Sequence, residues 1–184
     1  MATIYLIRHA EKPDGTSNGV TETGVPDPDS LIPRGWQRAG ALTTLFGSKD
    51  RLSAPARIYA AGAGKEKVAK HLKVGSNSAR PVETITPLAA KLGVNPVVSY
   101  DKGDEQNLVT DVLKEGSPAL ICWQHEVIPR IAELILGNKG EAPQSWPSDR
   151  FDVVWCFQNG GQGWQFSQIC QQLLSGDGAA PIQR

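Results

Sequence analysis

Thr3-Ile4-Tyr5-Leu6-Ile7-Arg8-His9-Ala10-Glu11 is the stretch whose reading decides the fold: an apolar run that stops at an arginine and a histidine side by side. Ile4, Tyr5, Leu6 and Ile7 are β-branched, aromatic or aliphatic, and an unbroken apolar run of this length suits a strand covered on both faces. Arg8 and His9 then stand at its carboxyl end. In open α/β sheets ligands bind there, because loops and helix N-termini converge on the crevice beyond the strands. Taken alone, the pair reads first as a hydrogen-bonded interior histidine beside a rim arginine. The remainder of the chain changes that reading.

The 184 residues carry 19 Lys+Arg against 19 Asp+Glu, so no global field draws the chain to nucleic acid or to an anionic membrane. The length suits one domain, spanning 1–184, with a substantial core. The opening apolar run is too short and wrongly flanked for a signal peptide, and no segment approaches the ~20 apolar residues of a membrane span. A soluble, cytoplasmic protein is expected. Cys122, Cys156 and Cys170 are odd in number, lie in or beside apolar segments and lack close paired spacing. They read as reduced core cysteines, not as a disulfide framework or a thiolate metal site.

Outward from Glu11, residues 12–30 hold Pro13, Gly15, Gly19, Gly24, Pro26 and Pro28 among polar neighbours. That is a long loop, either a flap over a pocket or a mobile connection. Pro33 opens a helical pattern through Trp36, Ala39, Leu42, Leu45 and Phe46, with Gly47 as its stop. Ala56 to Ala61 reads as a second strand. Residues 62–78 are basic, with Lys65, Lys67, Lys70, His71 and Lys73, and read as a solvated helical face or as an electropositive brim for a highly phosphorylated substrate. Gly62-Ala63-Gly64-Lys65 is not a P-loop: Glu66 replaces the magnesium-binding Ser/Thr, and no glycine stands five positions before Gly64.

Ser78-Ala79-Arg80-Pro81 offers a capping serine and a first-turn proline to a helix that runs to Gly93, with Pro87 a candidate kink. Asn95 to Tyr100 reads as a third strand, Leu108 to Lys114 as a short helix, and Pro118 to Trp123 as a fourth strand ending at Gln124-His125-Glu126. Pro129 to Gly137 marks another helix. Phe151 to Phe157 and Trp164 to Ile169 look like two late strands, with residues 158–163 as a hairpin turn. The tail from 175 is rich in Gly and Ala and is expected to be disordered. Trp36, Trp123, Trp155 and Trp164 read as core more than as pocket lining. Strands alternating with helices predict a three-layer α/β/α sandwich around a mostly parallel central sheet.

Arg8-His9 after one strand, Arg80 at a helix start and His125 after another strand make a phosphate-binding set. Guanidinium forks match phosphate oxygens with paired hydrogen bonds, and a helix N-terminus adds backbone donors. Four segments in this order, "LIRHAEKP" (6–13), "LIPRGWQRAGAL" (31–42), "SARPVETITPLAAKLG" (78–93) and "ALICWQHEVIPRIAELI" (119–135), resemble the histidine phosphatase superfamily, in its phosphoglycerate mutase-like branch. The resemblance implies a phosphoglycerate mutase-like fold and no metal or other cofactor. It makes His9 the nucleophile that becomes phosphohistidine, with Arg8, Arg80 and His125 binding the transferred phosphoryl group.

It also implies an acid for the leaving oxygen. Asp101, Asp104 and Glu105 lie in the loop after the third strand, with Glu105 favoured, unless these carboxylates merely cap the following helix. Glu11 and Glu126 adjoin the site histidines and can orient Arg8 or His125. Ala10 stands where the family often has glycine, and the chain between Tyr59 and Arg80 is longer than in compact members, so Lys65 and Lys67 belong to a subgroup feature. His9 is expected neutral, one nitrogen held by a backbone carbonyl, and His125 cationic beside phosphate. The expected activity is metal-independent hydrolysis of a phosphomonoester, with a phosphorylated small molecule as substrate, inorganic phosphate as product, and neither nucleic acid nor membrane as partner. The alternatives are a protein phosphohistidine phosphatase and a catalytically silent phosphate- or phosphoprotein-binding module.

Overall fold

In the computed structural model, which describes residues 2–46, 52–62, 78–116 and 118–183, the decisive stretch is a central strand, β1 (Ala2–Arg8). Its neighbours are β3 (Ala119–Trp123) on one side and β4 (Val153–Asn159) on the other, with β2 (Arg57–Ala60) and β5 (Trp164–Cys170) at the edges. The unbroken apolar runs are the buried strands: β3 is buried throughout, and so is β1 after Ala2. Edge strand β5 instead alternates half-buried with exposed residues over Trp164–Ser167.

Consecutive residues of β1 point to opposite faces. Ile4 and Leu6 pack with Trp123 and Trp155 against α3 (Glu105–Glu115) and α4 (Ile128–Leu136). Tyr5 and Ile7 join Leu120, Cys122 and Val154 against α1 (Pro33–Leu45) and α2 (Arg80–Leu92). Helices thus cover both faces of a mixed sheet. Trp123 and Trp155 are core, as expected, and Cys122, Cys156 and Cys170 are all free. None of the described helices is long and apolar enough to cross a membrane.

Four expectations change. The pairings are not mostly parallel: β2–β3 and β3–β1 are parallel, whereas β1–β4 and β4–β5 are antiparallel. The four residues between β4 and β5 explain the second half, since parallel neighbours need a crossover of a dozen or more residues. Residues 95–100 form no strand but a single bridge, Val97 to Tyr59, beside a Pro96 that has no amide to donate. The segment Leu108 to Lys114 is the interior of a longer helix, α3, that begins at Glu105. The tail, expected to be disordered, is tied down: Ile182 is buried, Gln168 bonds its backbone, and Asp177 pairs with Arg38.

The loop over 12–30 is anchored as well. Glu83 on α2 accepts from Ser30 Oγ at 2.7 Å and from the Leu31 amide at 2.8 Å, and the Trp36 indole donates to Val20 O. Gly35 lets α1 approach this region closely, because a Cβ there would lie 2.6 Å from Glu11 O. Gly47, expected to stop α1, and the basic segment with Lys65 and Lys67 lie outside the described residues.

Candidate active site

The ends of β1 and β3 are in register, Arg8 opposite Trp123, and the His9 amide donates to Trp123 O at 3.0 Å. Arg8-His9 and Gln124-His125 therefore leave the sheet side by side. The same end meets the start of α2: the Ala10 amide donates to Thr84 Oγ1 at 2.8 Å, and that hydroxyl donates to Arg80 O at 2.7 Å. Thr84, fully buried, fixes the histidine-bearing turn to the helix that carries Arg80.

His9 is 5 % exposed, and its Nδ1 lies 2.7 Å from Ala10 O. A carbonyl only accepts, so Nδ1 carries the proton and Nε2 keeps its lone pair. Burial pushes the ring pKa down to about 3; the Ala10 carbonyl opposes this, and the neighbouring Arg8, Arg80 and His125 lower it further. The ring is thus neutral, with one nitrogen held by a backbone carbonyl as the sequence led us to expect and Nε2 free.

Arg8 is 1 % exposed, and its guanidinium is half used. Nη1 donates to Ser148 O at 2.7 Å and to Arg150 O at 3.2 Å, with Pro147 O more distant at 3.4 Å, and the Phe151 ring lies 3.9 Å from Cζ. Nε and Nη2, also buried, have no hydrogen-bond partner among the described residues. Burial lowers the Arg8 pKa to about 10, with Glu126, Asp149 and Glu11 resisting, so it stays charged at neutral pH.

Arg80, the first residue of α2, donates from Nε to Ser78 Oγ at 2.7 Å. Ser78 was expected to cap the helix; its hydroxyl accepts from the Arg80 amide at 3.4 Å, but the N-cap residue is Ala79, without a side-chain cap, and the shorter contact is to the guanidinium. At His125, burial and the Arg8 charge lower the pKa below the usual histidine value, and Glu126 only partly compensates. Its Nδ1 lies 3.0 Å from Glu126 Oε2 but is not aligned for a hydrogen bond. Glu126 is in turn paired with Lys102.

Glu105 heads α3, buried, and its Oε1 accepts from the Gly103 amide at 2.9 Å and from the Trp123 indole at 3.1 Å. Those bonds hold the turn before α3 to the end of β3. Glu11, next to the pair in sequence, is turned toward α1, where Arg38 Nη2 and Nε reach it at 2.8 and 3.1 Å. Arg38 also bonds Asp177 at 2.7 Å and Gln171 at 3.1 Å, closing a buried network against the tail. Burial works against the Arg38 charge, yet its bonds to Asp177 and Glu11 raise its pKa, while those from Arg38 and the Leu173 and Leu174 amides bring Asp177 down to about 2.

A cleft of about 630 Å³ opens alongside, lined by Lys12, Asp14, Arg34, Asp149, Phe151 and Asp177 among others. The carbonyl clamp at 147–150, Phe151, Thr84 and Arg38 were all missed from the sequence. Only Phe151 gave a signal, an aromatic heading the segment expected to be a late strand.

By shape, the chain has the fold of the histidine phosphatase superfamily. It resembles the protein histidine phosphatase SixA complexed with tungstate, at 14 % identity and a TM-score of 0.58 over 92 % of this chain and 97 % of that one. A phosphoserine phosphatase variant from Entamoeba histolytica in complex with phosphoserine gives 13 % and 0.55, over 95 % and 100 %. The alpha-ribazole phosphatase from Shigella flexneri gives 10 % and 0.54, over 90 % and 94 %. No family model and no curated protein sequence matches the chain.

Proposed function

We propose that this protein is a metal-independent phosphatase that hydrolyses a phosphomonoester through a phosphohistidine on His9. The observation that carries the reading is the half-used guanidinium of Arg8: Nη1 is clamped by backbone carbonyls while Nε and Nη2 are buried without partners. A buried donor pair of that kind is costly unless a ligand completes it, and the side-by-side N–H groups of a guanidinium match two phosphoryl oxygens. That structures of the same fold were obtained with tungstate and with phosphoserine supports an oxyanion as the ligand.

In the first step the lone pair of His9 Nε2 attacks phosphorus, and the ester oxygen leaves with the electron pair of its bond and takes up a proton. In the second, water releases inorganic phosphate. Negative charge spread over three equatorial oxygens meets Arg8 and Arg80, cations fixed in advance, which can supply most of the stabilisation. The leaving group would occupy the cleft of Lys12, Arg34 and Asp149.

Substituting His9→Ala should abolish turnover of a generic aryl phosphate by at least ~10³-fold and remove acid-labile phosphoryl labelling, with activity of the native protein surviving a chelator. Retained turnover in the variant would end the phosphohistidine reading. Phosphate binding without any turnover in the native protein would leave a silent binding module.

A further inference from the structure

Gln124, between the last residue of β3 and His125, is 5 % exposed, and neither its Nε2 nor its Oε1 has a hydrogen-bond partner among the described residues. An amide in such a place is costly: it has lost water and gained nothing. Its location gives the reason. Among the described residues, buried side-chain nitrogens and oxygens without partners occur on Arg8, Gln124 and His125 alone, and those residues sit at the ends of two strands in register. The backbone of Gln124 is fixed, since the Val127 amide donates to its carbonyl in the turn before α4. The amide is therefore carried by a fixed turn at the same strand ends that bear Arg8 and His125.

We infer that Gln124 is a neutral ligand of the transferred phosphoryl group, its Nε2 donating to a phosphoryl oxygen and its Oε1 accepting a proton of the attacking water. This rests on the phosphatase reading and assigns that site a residue beyond its four charged or titratable ones. In the hydrolytic step the water oxygen bonds to phosphorus as the bond to His9 Nε2 breaks. The electron pair returns to Nε2, and both water protons leave on dihydrogen phosphate. A neutral amide suits that step because it can donate on one side and accept on the other without adding charge next to His9.

The test needs no knowledge of the natural substrate. Melting temperature is measured for the native protein, Gln124→Leu and Gln124→Glu, each with and without inorganic phosphate or vanadate. Gln124→Leu removes an unpaired buried amide, so the ligand-free protein should melt at the native temperature or above it, while its affinity for phosphate falls on the order of ten- to hundred-fold. Gln124→Glu keeps the shape and should bind phosphate still more weakly at neutral pH, recovering when the carboxyl is protonated in acid. It also decides the matter should the leucine variant not fold. A native phosphate response in either folded variant, or a Gln124→Leu protein that melts lower and binds normally, overturns the assignment. No phosphate response in the native protein would overturn the phosphatase reading along with it.

Discussion

Two buried clusters of charge diverge from neighbouring residues, Arg8 and Glu11, and they are built to opposite plans. The network of Glu11, Arg38 and Asp177 is closed: Arg38 is 3 % exposed in its side chain and reaches two carboxylates and the Gln171 amide oxygen. The cluster of Arg8, Gln124 and His125 is open, with donors and acceptors buried and unused. Burial of charge is common to both and so distinguishes nothing. What separates a structural ion pair from a binding site is whether the hydrogen-bonding capacity is spent.

That difference should divide stability from function when matched substitutions are made. Arg38→Lys keeps the charge but breaks the forked contacts of the closed network, and each buried acceptor left unpaired costs about 1–3 kcal/mol. Its expected signature is a large fall in denaturant midpoint, with activity per folded molecule close to native. Arg8→Lys keeps a charge but not the second fork, so turnover should fall ~10²–10³-fold, or about 3–4 kcal/mol of transition-state stabilisation, while the denaturant midpoint moves much less. If both variants lost stability and activity together, the two clusters would be one unit and the comparison would fail.

Glu105 lies between the two plans, with Oε1 spent on Gly103 and Trp123. Glu105→Ala strands a buried indole N–H and should cost about 1–3 kcal/mol. Glu105→Gln keeps an acceptor oxygen in place and should be near native in both stability and rate. A fall of ~10²–10⁴-fold in kcat for the glutamine variant, with its melting temperature intact, would instead make Glu105 the acid for the leaving oxygen.

The open cluster was more legible in the sequence than the closed one, for a physical reason. Arg8, His9 and His125 follow apolar runs, and Arg80 follows a serine and precedes a proline, so local patterns mark where strands and helices end. Arg38 sits in the middle of a helical pattern, and its partners lie 27 and 139 residues away. No local signal marks such a pairing, and the glycines around Asp177 suggested disorder. Strand direction was hidden for the same reason: β4 and β1 look alike as apolar runs, and only the short turn to β5 betrays an antiparallel pair. The orientation of Glu11 depended on Gly35 allowing α1 to come close.

The two clusters should also separate along the pH axis. Folded His9 titrates near 3, whereas an unfolded histidine titrates near 6.5, so above 6.5 both states are neutral and the stability is fully present. Below 6.5 the unfolded chain binds a proton that the folded chain refuses, and stability falls as pH falls, by at most about 1.4 kcal/mol per pH unit, until the folded ring is protonated as well. Asp177 works the same way in a lower window: its folded pKa of about 2 lies below the usual carboxylate value near 3.8, so its contribution is intact above 3.8 and is lost as pH falls through 2. Replacing His9 with Gln should therefore flatten the stability profile between pH 6.5 and 4, leaving the steeper decline below pH 4 in place. Denaturant titrations of native protein and variant at intervals of half a pH unit read this directly. An unchanged profile between 6.5 and 4 would mean that the folded ring is protonated near neutrality, which would deprive His9 of the free Nε2 lone pair on which the proposed reaction depends.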